Sequence, residues 1–328
     1  MIEIEMAYRT EQPHNKLKEA GIAQFAKMIS KYSKYGVFIS PGAAYQELPP
    51  ARRGAVEIAF SKMLRYYLPH FRYDPNARPM PFTGESTVPE VFSELPSEMQ
   101  EFKSCPYASL MAINIIHRSK ILDPIEKFIA YIDYCSEVLN LISVKEASIA
   151  RYVFSPDVGM TDSLRDRKNA IMSNFAKIKK GGGKGLSTSE LIKRISLNGA
   201  NDLIIITAAD VVNNTRKQNN HDLIEHDVWI ATSDEKLYAF CRACPSFLLE
   251  DRTGAMARFL DVHEDITGTR YWKKSAEILA GRLQERRSKV GFNDDMSVIV
   301  QAALQAEALL LEGDAESFFQ TRSWRHRP

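Results

Sequence analysis

Two aspartates stand at the ends of short apolar runs in the stretch from Asn201 to Phe240: Asp202 precedes Leu203 to Thr207, and Asp234 follows Val228 to Thr232. Acids fixed at the ends of buried elements are suited to building a metal site, because they hold oxygen ligands in place. Taken singly, Asp234 reads equally as a helix cap and Asp202 as an anion in an opening helical turn. Other groups carry weaker chemistry. Cys241 and Cys244 form a CxxC, but zinc normally takes four ligands and no second CxxC or His pair follows at finger spacing, so two thiols packing inward on a helix is the plainer reading. The run Lys179-Lys180-Gly181-Gly182-Gly183-Lys184-Gly185 invites a phosphate-loop reading. It lacks the GxxxxGK[ST] spacing and follows a polar helix rather than a strand, which leaves a basic loop touching a nucleic-acid backbone or a plain linker. Asp294-Asp295 reads as an N-cap pair.

The elements that must position the two aspartates differ in clarity. Val228, Trp229, Ile230 and Thr232 favour a strand, and Ser233-Asp234-Glu235 favours a helix start, so Asp234 falls at a strand's C-terminal end. For Leu203 to Thr207 a buried strand and the opening turn of a helix after Asn198-Gly199 both fit. A resemblance decides between them. NDLIIITAAD, a polar loop and then WIATSDEKLYAF is similar to the second half of a PIN-domain nuclease, in which the first aspartate opens a helix and the second follows a strand through Thr-x-Asp. GVFISPGAAYQELPPARR resembles the family's earlier strand ending in Ser-Pro and supplies Glu47.

The resemblance covers roughly residues 1–70 and 195–245. It implies an α/β fold: a PIN-like parallel sheet flanked by helices, with a large helical insertion and a helical C-terminal extension. The implied divisions are 1–74 and 195–245 for the two parts of the core, 75–194 for a Pro-rich loop and the insertion, and 246–328 for the extension. It also implies metal-dependent phosphodiester hydrolysis, with Glu47, Asp202 and Asp234 as catalytic residues and ligands of Mg2+ or Mn2+, and water as nucleophile. Thr232 or Ser233 would orient a ligand, and Asp210 would line the same cleft. By analogy the substrate is RNA rather than DNA, and an inhibitory partner protein is a further implied partner. The family opens with a strand ending in Asp-x-Asn, whereas this sequence opens Met1-Ile2-Glu3-Ile4-Glu5. The first ligand is therefore unassigned: a missing strand, a substitute at Glu3 or Glu5, and a domain that no longer cleaves all stay open. The alternative function is accordingly an inactive binding or scaffold protein acting through the helices of 107–151 and 271–311.

Composition bounds these readings. With 328 residues, 45% apolar and 26% charged, the chain has the make-up of an ordinary globular protein and ample size for a core. A net charge of +2 makes no global case for nucleic acid or membrane. Four cysteines give no disulfide framework, and Glu3 and Glu5 stand where a signal peptide would be apolar, so a cytoplasmic protein is expected. Along the chain, apolar spacing predicts helix over most of 2–35 and over 51–67, 107–151 (a hairpin broken at Asp123-Pro124), 162–180, 191–197, 271–289 and 296–311. The prolines of 69–106 predict an irregular excursion.

Overall fold

Proline and glycine cut the first helical stretch into three. In this computed structural model, residues 1–32, 38–39, 48, 50–73, 91–177, 186–218, 230–232, 234–243, 246–249, 256–259, 269–288, 296–313 and 315–322 are described. They form two compact units, Met1–Pro89 and Glu90–Pro328.

In the first unit, α1 (Ile2–Tyr8), α2 (Pro13–Glu19) and α3 (Ile22–Ser30) replace the longer helix that the periodicity predicts. Pro13 opens α2, where its missing N–H would have had no intrahelical partner. Gly21, at φ 81°, makes the left-handed turn into α3. The predicted helix over 51–67 is present as α4 (Pro50–Tyr67), and it turns Ala59, Phe60, Met63 and Leu64 onto Ile4, Ala7 and Leu17. Ile58, apolar but on the other side of α4, is 60% exposed. Phe38–Ile39 (β1) pairs in parallel with Arg72–Tyr73 (β2).

The second unit is organised around one buried helix, α5 (Ser97–Arg118), in which all but one of the residues from Lys103 to Ile116 are buried. Pro106 inside α5 leaves the carbonyl of Phe102 without its helical donor; Phe102 is solvent-exposed, so water can serve instead. Ten residues read as part of the irregular excursion, Ser97 to Pro106, are therefore helical. Around α5 lie α6 (Pro124–Glu137), α7 (Val144–Phe154), α8 (Asp162–Phe175), α9 (Thr188–Gln218), α10 (Glu235–Ala243), α11 (Arg270–Ser288), α12 (Met296–Glu312) and α13 (Ala315–Thr321). Of these, α6, α7, α9, α12 and α13 pack directly on α5. The predicted break at Asp123-Pro124 is a capping box, in which Asp123 accepts from the N–H of Glu126 and Glu126 accepts from the N–H of Asp123. Ser187 and Glu190 reciprocate in the same way at the start of α9.

The expected α/β core with a parallel sheet does not form. The described strands make only two isolated pairs, β1–β2 and an antiparallel pair of Ser246–Leu249 (β3) with Met256–Phe259 (β4). Leu203 to Thr207 lies in the middle of α9, and Ile230 to Thr232 takes no strand conformation. The first run thus follows the helical alternative, with Leu197, Ala200, Leu203, Ile206 and Ala209 buried as an i, i+3 stripe that a strand's alternation would not give, but the helix opens at Thr188 rather than at Asp202. Asn198-Gly199 does not start a helix either. A Cβ on Gly199 would sit 2.8 Å from both Leu110 Cδ1 and Phe175 Cδ1, so the glycine is there to let α9 approach its neighbours. Within the described residues no single helix is long and apolar enough to cross a membrane.

Candidate functional site

The two aspartates are set by their helices. Asp202, expected in a first turn, stands well inside α9 and is half-buried, and its Oδ2 accepts from Asn174 Nδ2 of α8 at 3.2 Å. Asp234 is exposed and caps α10: its Oδ1 accepts from the backbone N–H of Lys236 at 2.8 Å and of Leu237 at 3.2 Å. Thr232 holds the cap in turn, its Oγ1 accepting from the N–H of Asp234. Glu47, Ser233 and the side chain of Asp210 lie outside the described residues, as do Lys179 to Gly185, Cys244 and Asp294-Asp295.

Both helices that carry these aspartates pack on α8. The meeting point is Phe175, fully buried, which stands edge-to-face with Phe240 of α10 at 4.9 Å between ring centroids and against Gly199 of α9. That junction is apolar. Among the described residues no three His, Cys, Asp or Glu side chains are placed to hold one metal ion. Glu5, a substitute for the first ligand on the sequence reading, is buried and paired with Arg52 and Arg9. The Arg52 guanidinium, ahead of Arg9, holds its carboxyl below the ordinary carboxylate range, and both its oxygens are occupied. The described carboxylates thus do not fit Mg2+ or Mn2+, which need several convergent oxygens.

Three buried charged groups of the second unit tie sequence-distant helices together. Arg151 of α7 donates to Ser275 Oγ and the carbonyl of Trp272 on α11, lies 4.9 Å from the centroid of Trp272, and receives the Tyr271 hydroxyl on its own carbonyl. Glu307 of α12 accepts from Tyr107 Oη at 2.5 Å and from the N–H of Phe92. Asp133 of α6 pairs with Arg282 of α11 and with Arg322. Burial pushes the Cys135 thiol up to about 12 and the Cys105 thiol well above its usual value, so neither is a ready thiolate. Burial, ahead of Arg118 and Lys127, pulls His117 down to about 4. These groups are partnered or neutral, and none opens onto a described cleft.

The first unit holds a different arrangement, which the sequence reading passed over. His14 of α2 stacks on Tyr66 of α4 with ring centroids 3.8 Å apart and planes at 25°, while Tyr8 and Tyr67 meet His14 edge-on at 6.2 and 6.0 Å. Tyr66 is 61% exposed. The Tyr8 hydroxyl and His14 Nδ1 are buried with no hydrogen-bond partner among the described residues. Lys62 Nζ lies 5.9 Å from the Tyr8 ring centroid. Burial raises the hydroxyls of Tyr8 and Tyr67 above the ordinary tyrosine value, so both stay neutral donors. The signal was there: Lys62, Arg65 and Tyr66 fall at i, i+3 and i+4 on one helix face.

The described fold and its polar groups define a helical protein whose acids serve helix ends and ion pairs. Neither family models, curated proteins nor solved structures gave a match to the chain.

Proposed function

We propose that this protein works by binding rather than by hydrolysis. The observation that supports this most is how its acids are employed: Asp234 closes the open end of a helix, Glu5 sits between two arginines, and Asp202 accepts an amide from a neighbouring helix. A carboxylate already occupied in this way loses those contacts if it turns to a cation. Of the helices expected as partner surfaces, those of 107–151 are largely buried, whereas the first of 271–311 keeps exposed residues along its length. The test is Mn2+-dependent cleavage of an unstructured RNA by the full chain and by Asp202→Asn. Equal, background-level products from the two are expected; cleavage by the wild type that Asp202→Asn abolishes would overturn the reading.

A second reading, metal-dependent hydrolysis of RNA by an endonuclease, is supported by one observation. The helices bearing Asp202 and Asp234 both pack on α8, so the two acids belong to one part of the second unit. The same experiment decides it.

A further inference from the structure

We propose that the exposed ring of Tyr66 is a stacking platform for an unpaired base, and that the first unit binds single-stranded RNA across it. This names the partner of the binding reading above and rests on it.

A planar ring fixed from behind and open in front is what base stacking needs, since the platform then loses little freedom on binding. His14 supplies the backing at 3.8 Å, and the ring of Tyr66 remains 61% exposed. His14 is itself wedged by Tyr8 and Tyr67, and its carbonyl accepts from Tyr67 Oη.

The charges beside the ring suit a phosphate chain. Lys62 and Arg65 are exposed on the same face of α4, and no described acid pairs with either. A backbone phosphate next to a stacked base would meet both cations. Along α2 runs a polar groove of about 790 Å3, bordered by Thr10, Gln12, Asn15 and Gln24 with Lys18 and Glu11. Thr10 Oγ1 donates to the Ala7 carbonyl and Asn15 Nδ2 to Gln12 Oε1, so among the described residues Gln12 Nε2, Asn15 Oδ1 and Gln24 are the groups left to meet a ribose 2′-OH, which deoxyribose lacks. Glu11 and Glu19 against Lys16 and Lys18 make that groove close to neutral, unlike the Lys62 and Arg65 face of α4.

The experiment is fluorescence anisotropy of the full chain with a labelled twelve-residue oligouridylate at low salt, using wild type, Tyr66→Ala, Tyr66→Phe and Lys62→Ala. Tyr66→Ala is expected to weaken binding about tenfold, Tyr66→Phe to bind as wild type because the ring remains, and Lys62→Ala to reduce the salt dependence by about one counterion. No binding by the wild type, or equal affinity of wild type and Tyr66→Ala, would overturn the proposal. So would tighter binding of an oligothymidylate or an RNA duplex, since the first removes the 2′-OH and the second hides the base faces. A single cooperative unfolding transition of Tyr66→Ala, well above the assay temperature, checks that the ring's loss is read as binding and not as unfolding. The cleavage assay with Asp202→Asn runs separately, so a hydrolase result there and a failed platform here remain distinct outcomes.

Discussion

The two units spend their polar side chains differently. In the second, Arg151, Glu307 and Asp133 each close a contact between helices more than a hundred residues apart, and what surrounds them is apolar. In the first, the tyrosines and histidine cluster toward the surface, and the outermost ring is uncovered. The lesson is that acids and arginines, the usual first suspects, here serve the architecture, while the aromatic cluster is what remains to face a partner.

Three experiments can break that contrast or sharpen it. The largest effect belongs to Phe175, where α8, α9 and α10 meet: Phe175→Ala is expected to destabilise by about 3–5 kcal/mol in chemical denaturation, against about 1 kcal/mol for Tyr66→Ala, which loses its stack on His14. Comparable losses for the two would erase the distinction between units.

His117 comes next. Its folded pKa, about 4, lies below the ordinary 6.5, so in this window the unfolded chain binds the extra proton. Stability contributed by neutral His117 is complete above pH 6.5 and declines as pH falls toward 4, by on the order of 2–3 kcal/mol. His117→Gln should flatten unfolding free energy across that range, and an unchanged slope would show that the imidazole is hydrated in the fold. Acidification should affect the first unit through Glu5 only at lower pH: its carboxyl is held below 4.5, and its contribution is lost as pH drops from 4.5 through that lowered value.

The smallest effect is the most diagnostic of packing. Alanine normally favours a helix interior over glycine by about 1 kcal/mol, yet Gly199→Ala should lower the melting temperature, because the new Cβ meets two side chains at 2.8 Å. A rise would mean that Leu110 and Phe175 yield cheaply.

What the sequence revealed depended on how local the cause was. The break at Asp123-Pro124 and the helices from 271 and 296 were legible because neighbouring residues decide them. Leu203 to Thr207 was legible as helix only through the resemblance, since its isoleucines suit a strand locally, and the start was misplaced at Asp202 because the deciding pattern runs over thirteen residues, from Leu197 to Ala209, inside a helix that begins at Thr188. Gly199 looked like punctuation because its true neighbours, Leu110 and Phe175, are remote in sequence. Asp234 was correctly placed at a helix start, but neither its company nor that of Glu5 could be read, since Arg52 is 47 positions from Glu5. Tyr66 shares a helix face with Lys62 and Arg65, a spacing too common to single it out; the stacking of His14 from a separate helix is what marks it.

Glu307 holding Tyr107, and Arg322 holding Asp133, also bear on how the polypeptide is made. A ribosome delivers α5 some two hundred residues before the side chains that finish its surroundings, so that apolar helix must be sheltered while it waits. Helices α1 to α4 share a hydrophobic cluster of their own and can settle early. Translation pausing or chaperone depletion should therefore trap nascent chains with the first unit formed and α5 accessible to proteases.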